Sequence, residues 1–415
     1  MRDALNVLLL THRLPFAPNR GDRIRAYYLL QALAREAEVD LVSLVHDRDE
    51  EEEADGLRDR VRSVTTARVM RTRSWLRGAV ALAGRQPLTH ALLDAPDLRH
   101  VLREVVSVRR PDVVVAFCSS MARCALEAPL ADLPFVLDLV DVDSEKWRQL
   151  GAGAHGPLGW VYRREARVLG PFEARAARRS AATLVVNDRE RAALEAIAPG
   201  APVHVVPNGI DAQRFTPPIV PASSPEIVFC GVMDYAPNVD GVLWFVKHVW
   251  PQVRAARSDA KFTIVGARPS AAVRALALDP SIEVTGTVAD VRPYLWRSAL
   301  SVAPLLIARG VQNKVLEALA AGLPCVVSRA VSEGLPLAAR NGCLGGATAQ
   351  TFAASVLHVL AMRPEARRRM AASANLAELS WRGAFAPLGG LLRAAAAHSH
   401  PLPSAGESAL VECRA

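Results

Sequence analysis

Lys314 and Glu317 follow the polar stretch Arg309, Gly310, Val311, Gln312 and Asn313 in the run ARGVQNKVLEALAAGLPCVV (Ala308–Val327). Three positions apart on a helix, an ammonium and a carboxylate share one face. The stretch comes after an apolar strand-like run ending at Pro304, and Gly322 and Pro324 stop the helix before another apolar run, Cys325–Val327. A helix N-terminus carries unpaired N–H groups and partial positive charge, which suits a diphosphate. A glutamate one turn further on could accept hydrogen bonds from ribose hydroxyls. The chemistry expected here is therefore binding of a nucleotide diphosphate; the plain alternative is a strand–helix–strand unit with ordinary surface charges.

Two other strand exits gather polar residues. Leu5–Leu10 is followed by THRLPFAPNRGDRIR, in which Gly21 would let backbone approach a ligand and Arg20, Asp22 and Arg23 stand at the mouth of the sheet. Phe135–Leu139 carries Asp138 within it, and Asp141, Asp143, Ser144 and Glu145 crowd its exit. A carboxylate there could act as a base or orient a sugar hydroxyl. Helix N-capping by Asp143 or Ser144 is the bland alternative, and the spacing lacks the regular calcium-loop pattern.

The elements that must position these residues alternate strand and helix. Continuous apolar runs such as Leu5–Leu10, Val39–Val45 and Pro111–Phe117 suit parallel strands buried on both faces. The charge run His46–Arg60 is expected to be a solvated helix face. Arg71–Pro87 is basic and apolar, with Trp75, Leu76, Val80 and Leu82. It predicts either an amphipathic helix touching an anionic membrane surface or a helix packed in its own domain. The Pro- and Ser-rich stretch 216–225 reads as linker, and 398–415 as a disordered tail.

A chain of 415 residues exceeds one ordinary core, so two domains are expected. With 51% hydrophobic and 22% charged residues, it fits a soluble globular α/β protein. The net charge is +8, and all but four of the 50 cations are arginine. That balance suits phosphates, anionic lipid or nucleic acid, although an Arg- and Ala-rich codon bias would produce it too. Six cysteines without a CxxC pair argue for reduced thiols in a cytoplasmic protein, with neither zinc cluster nor disulfide framework. Neither a signal peptide nor a transmembrane helix is expected.

Six motifs, taken together in order and spacing, resemble one family. They are PNRGDRIR, LVDVDSEKW, VVPNGID (Val205–Asp211), FCGVMDYAPNVDGVLWF (Phe229–Phe245), VTGTVADVRPYL (Val284–Leu295) and ARGVQNKVLEALAAGLPCVV. The chain resembles GT-B glycosyltransferases of the large retaining family 4 type. More narrowly, it is similar to sugar transferases of bacterial exopolysaccharide (PEP-CTERM/Eps-associated) systems. The resemblance implies two Rossmann-like parallel-sheet domains facing a cleft: an acceptor-binding domain over 1–202, a hinge over 203–225 and a nucleotide-sugar-binding domain over 226–397, with a last helix crossing back. It implies that Glu317 holds the ribose, and that Gly231, Asn238, Gly310, Val311, Gln312, Asn313 and Lys314 lie against diphosphate and sugar. Gly21 would approach the diphosphate, and Arg20, Asp22, Arg23, Asp143 and Ser144 would serve the acceptor. Asp141 sits near the place where relatives carry a histidine beside the donor sugar, so Asp141, Arg309 and Lys314 are the catalytic candidates. Arg309 occupies the first carboxylate position of the family's ExxxxxxxE, where a cation could bind phosphate instead. The expected acceptor is a glycan, lipid-linked in many such systems, with peripheral contact at the inner face of the plasma membrane. No metal or other cofactor and no nucleic-acid partner are expected. A nucleotide-sugar epimerase on the same fold and a basic nucleic-acid-binding protein are the rival readings. Against the latter, the arginines are dispersed and aromatic residues make up only 5%.

Overall fold

A computed structural model describes residues 5–16, 21–308 and 311–397. The chain divides into two compact units. The first comprises Met1–Val185, Arg191–Val205 and the segment from Phe385 onward; the second comprises Val186–Glu190 and Val206–Ala384.

The first unit is built on a seven-stranded parallel sheet in the order β3-β2-β1-β4-β5-β6-β7. Its strands are β1 (Leu5–Thr11), β2 (Ala37–Val45), β3 (Ser63–Arg68), β4 (Val113–Phe117), β5 (Phe135–Val140), β6 (Ala182–Val185) and β7 (Val203–Val205). The strands β4 and β6 are buried along their whole length, as parallel strands covered by helices on both faces must be. Leu8, Leu10, Val42, Val114, Ala116 and Leu137 form the centre of the core on one face. The second unit carries a six-stranded parallel sheet in the order β10-β9-β8-β11-β12-β13. Here the strands are β8 (Glu226–Cys230), β9 (Lys261–Val265), β10 (Ile282–Gly286), β11 (Leu300–Ala303), β12 (Cys325–Ser328) and β13 (Cys343–Gly346). The strand order reverses between β1 and β4 in one sheet and between β8 and β11 in the other. At such a switch point the connecting helices leave to opposite faces and open a crevice beyond the strand ends, where ligands bind.

The two Rossmann-like halves follow the expected architecture; several boundaries do not. The stretch read as a hinge from residue 203 begins with β7, a strand of the first sheet. The last helix, expected to cross back, is two pieces, Trp381–Ala384 and Leu388–Ala397. Pro387 explains the break, since the residue before a proline is pushed out of helical geometry. The second piece contacts β4, β5 and the helix Gly21–Glu36, all of the first unit. The motif Phe229–Phe245 runs into a helix that starts at Ala236 and widens into a π-turn at Phe245–Val249. The tail 398–415 lies outside the described residues.

One buried ion pair ties this unit together. Arg25, on the helix Gly21–Glu36, is 1% exposed and Asp138 on β5 is fully buried. Arg25 Nε donates to Asp138 Oδ2 at 2.9 Å and Nη2 to Oδ1 at 3.0 Å. The guanidinium also faces the Phe385 ring, 5.3 Å from its centroid, where the returning segment enters. Removing one partner strands the other charge in a low-dielectric interior, at a cost of about 3–5 kcal/mol. Asp138→Ala and Arg25→Ala are each expected to lower stability by that amount in chemical denaturation. The apolar double variant Arg25→Met/Asp138→Leu should recover most of the loss.

Candidate functional site

In the second unit the switch point lies where β8 runs into Gly231 and β11 into Pro304. The helix Asn313–Ala320 starts after the loop that leaves β11. Its Lys314 reaches back to the exit of β8: Nζ donates to Asn238 Oδ1 at 2.6 Å and sits 4.3 Å from the centroid of the Phe229 ring. Asn238 is oriented in turn by donating from Nδ2 to the Val232 carbonyl at 2.9 Å. A Cβ on Gly231 would stand 2.8 Å from Asn238 Nδ2 and 3.0 Å from Lys314 Nζ, so only glycine leaves this arrangement undisturbed. Asn313 Oδ1 accepts from Asn208 Nδ2 at 3.1 Å, joining the helix start to the VVPNGID turn. That turn is gripped from the far side: Ile210 N donates to the Leu379 carbonyl at 2.6 Å, and a Cβ on Gly209 would fall 2.5 Å from the Trp381 backbone.

The electrostatics follow from burial. Lys314 is pushed down to about 8, chiefly because burial penalises its charge, with Cys230 and Glu317 acting in the opposite sense. Burial raises Glu317, and Arg214 and Lys314 hold it back. The Cys230 thiol beneath them is pushed up to about 12 by burial and by Glu317. An ammonium, an amide, a glycine backbone and a carboxylate thus meet at the end of a parallel sheet. Val311 is buried, and Gln312 and Asn313 lead into the helix half-buried. Arg309 and Gly310 lie outside the described residues, as does Arg20.

In the first unit β5 ends with Val140 at φ 68°, a conformation that turns the chain sharply. Asp141 follows, half-buried, its N–H bonded to the Leu139 carbonyl at 2.9 Å. N-capping by Asp143 or Ser144, the alternative reading, does not occur. The helix Asp143–Gly153 starts without a side-chain cap of its own. Its first turn is instead capped by Glu173, from the long helix Gly156–Arg179: the Ser144 N–H lies 3.3 Å from each carboxylate oxygen, and Ser144 Oγ donates to Oε2. Burial first, and Asp143 second, push Glu173 up to about 8. Asp143 pairs with Lys146 at 3.4 Å.

Arg23 is buried and committed to its own unit. It donates to the Phe16 carbonyl at 2.9 Å and to Glu53 at 2.8 Å, and pairs with Glu50 at 3.0 Å. Glu50 corrects the expectation of a solvated charge run: it is 2% exposed and accepts from the N–H groups of Leu14 and His46. A carboxylate that must satisfy two loops cannot face water. Gly21 is the first residue of its helix, and Asp22 the second. The residues brought together are therefore Gly231, Asn238 and Lys314, with Asn313 beside them. Sequence reasoning missed Asn208, Phe229, Glu50 and Glu173 as supports. Only Asn208 had a usable signal, its Pro-Asn-Gly turn.

Residues 21–214 match the model of Glycosyltransferase Family 4, and residues 224–362 that of Glycosyl transferases group 1. No curated protein matches the sequence. Among solved structures, sucrose-phosphate synthase from Thermosynechococcus elongatus is 15% identical with a TM-score of 0.69, over 94% of this chain and 98% of that one. A variant of S. aureus TarM, solved with fondaparinux, α-GlcNAc-glycerol and UDP, is 9% identical with a TM-score of 0.66, over 94% and 99%. Anabaena HepE, solved with UDP and glucose, is 13% identical with a TM-score of 0.61, over 94% and 99%. At these identities the structures speak for the fold, and the two matched models speak for the chemistry: the chain is a glycosyltransferase of GT-B fold, built from a family 4 domain and a group 1 domain.

Proposed function

We propose that the chain transfers a sugar from a nucleoside diphosphate sugar to a glycan acceptor with retention of configuration. The observation that carries this reading is the half-buried Lys314, fixed by Asn238 at the β8/β11 switch point beside the N-terminus of a helix. Charge grows on the leaving diphosphate in the transition state, and preorganised cations and dipoles aimed at it lower the barrier. Lys314 and the helix N-terminus supply these, with Gly231, Gly310, Val311, Gln312 and Asn313 lining the diphosphate and sugar, and Glu317 on the ribose. The scheme calls for no metal. Retention follows if the acceptor hydroxyl attacks from the leaving-group face and a diphosphate oxygen takes its proton. Asp141 then orients the reacting groups. Arg23, Asp143 and Ser144, bonded within their own unit, shape the acceptor side. Arg309 would add a second cation toward the phosphates.

The similarity to TarM and HepE, which were solved with UDP, supports a nucleotide-sugar donor; the epimerase reading draws no support from the matched models. The narrower resemblance favours a role in exopolysaccharide assembly on a lipid-linked acceptor, at the inner face of the membrane. Among the described residues no helix is long and apolar enough to cross a membrane, so attachment would be peripheral.

A binding screen over nucleotide sugars, followed by turnover with the best donor, tests the reading. Lys314→Ala should cut kcat/KM about 10- to 100-fold, the equivalent of one charge-assisted hydrogen bond, and Glu317→Ala should chiefly raise KM. Full activity in both variants and in Asp141→Ala would sink the assignment. Because Lys314 titrates at about 8, its charge is present below that pH and lost above it. Donor kcat/KM is therefore expected to fall as pH rises through about 8, and the fall should vanish in Lys314→Ala. Gly231→Ala should keep the circular dichroism of the parent and weaken donor binding tenfold or more by displacing Lys314 and Asn238.

A further inference from the structure

The first unit encloses a cavity of about 880 Å³ between the helices Arg71–Ala83, Leu88–Leu92 and Leu98–Val108 and the long helix Gly156–Arg179. No donor or acceptor candidate lines it. Six guanidinium groups do, from Arg73, Arg77, Arg85, Arg99, Arg123 and Arg175, against the two carboxylates Asp94 and Glu127. Those carboxylates are already engaged: Asp94 by Arg77 and, at 3.5 Å, by Arg123, and Glu127 by Arg99 at 3.2 Å. Among the described residues no carboxylate stands within ion-pair distance of Arg73, Arg85 or Arg175. Arg175 rests instead over the ring of Phe172, 5.4 Å from its centroid. Like charges gathered in a recess focus a field that an anion relieves.

His90 adds a second, independent sign of a ligand. It is 3% exposed, lines the cavity, and its Nε2 is buried without a hydrogen-bond partner. Its ring meets Phe172 edge-on with centroids 4.5 Å apart. Burial and the neighbouring Arg123 push it down to about 3, so the imidazole is neutral. Native proteins seldom leave such a nitrogen unsatisfied.

The walls are held without using the three unpaired arginines. Arg164 donates to the carbonyls of Leu82 at 3.0 Å, Gly84 at 2.7 Å and Gln86 at 3.0 Å. Glu165 accepts the Leu88 N–H at 2.9 Å and the Thr89 N–H at 3.0 Å, fixing the start of the next helix. Arg123 donates to the carbonyls of His90 and Leu93, each at 2.9 Å. The helix that supplies Arg73 and Arg77 also exposes Leu76 at 72% and Val80 at 75%, next to those arginines by helix spacing.

We infer that this cavity binds the phosphate group of a phosphoester that also carries an apolar portion. Arg73, Arg85 and Arg175 neutralise the phosphate, His90 Nε2 completes its hydrogen bonding, and the apolar portion lies along Phe172 toward Leu76 and Val80. The site does not rest on the donor reading, since no residue is shared.

The test uses the full chain, isothermal titration at low salt and three probes: dihexanoyl phosphatidic acid, inorganic phosphate, and phosphatidylcholine vesicles with or without phosphatidylglycerol. Dihexanoyl phosphatidic acid should bind saturably to the wild type. Arg73→Gln/Arg85→Gln/Arg175→Gln should weaken it tenfold or more while leaving donor turnover unchanged; all three side chains are exposed, so the variant should fold, which circular dichroism checks. The same loss seen only on phosphatidylglycerol vesicles would support the inference with a lipid headgroup as the source. Inorganic phosphate binding as strongly as the ester, with the same loss in the triple variant, would overturn the assignment of an apolar portion. Undiminished binding by the triple variant, the absence of saturable binding for all three probes, or preferential displacement of the ester by a single-stranded oligonucleotide would overturn it.

Discussion

The pairing of Arg25 with Asp138 is the constraint on which the first unit depends. A carboxylate buried in the middle of a parallel strand would be untenable alone, because burial raises its pKa and favours the neutral acid. The guanidinium restores the charged form with two well-aligned hydrogen bonds, and in doing so it fixes where the first helix sits against β5. Phe385, packed over the same guanidinium, adds the segment that returns from the far end of the chain. Position, more than net stability, is what such a pair provides, since apolar groups of similar size often serve stability as well or better.

The same unit repeats the device at its periphery. Glu50 satisfies the loops after β1 and β2 and holds Arg23; Glu173 caps the helix that follows Asp141; Glu165 caps the helix Leu88–Leu92 while Arg164 gathers the carbonyls just before it. In each case an acid or base on one element answers the unpaired backbone groups of another, which burial would otherwise leave unsatisfied. Loops that flank a site are made rigid in this way, and a rigid frame is what lets a few polar atoms be placed to within a fraction of an ångström.

The charge at the second unit's switch point is kept differently. Lys314 is answered by one amide oxygen and an aromatic face, with Glu317 nearby. Incomplete compensation lowers its pKa and leaves an ammonium poised for an anion. Arg25 is saturated and structural; Lys314 is not, and the contrast is one of partners, not of residue type.

Periodicity and motif order determined a great deal by themselves: the alternating apolar runs dictated parallel strands, the motifs placed polar residues at strand exits, and Lys314, Asn313 and Glu317 stood out because helix spacing alone puts them at one end of one helix. Those inferences need only local geometry. The partners of the charges were a different matter. Nothing in FVLDLVDVDSEKW says that Asp138 faces Arg25, more than a hundred residues away, or that Ser144 is answered by Glu173. Nothing in DRDEEEEADGLRDR distinguishes the buried Glu50 from its solvated neighbours. Likewise, the dispersed arginines of the first half looked like compositional bias until four helices and a loop brought six of them around one cavity. Which charges meet depends on how distant elements pack, and only the tertiary structure decided that, because Coulomb and hydrogen-bond energies depend on separation in space and on burial, neither of which is written in the order of residues.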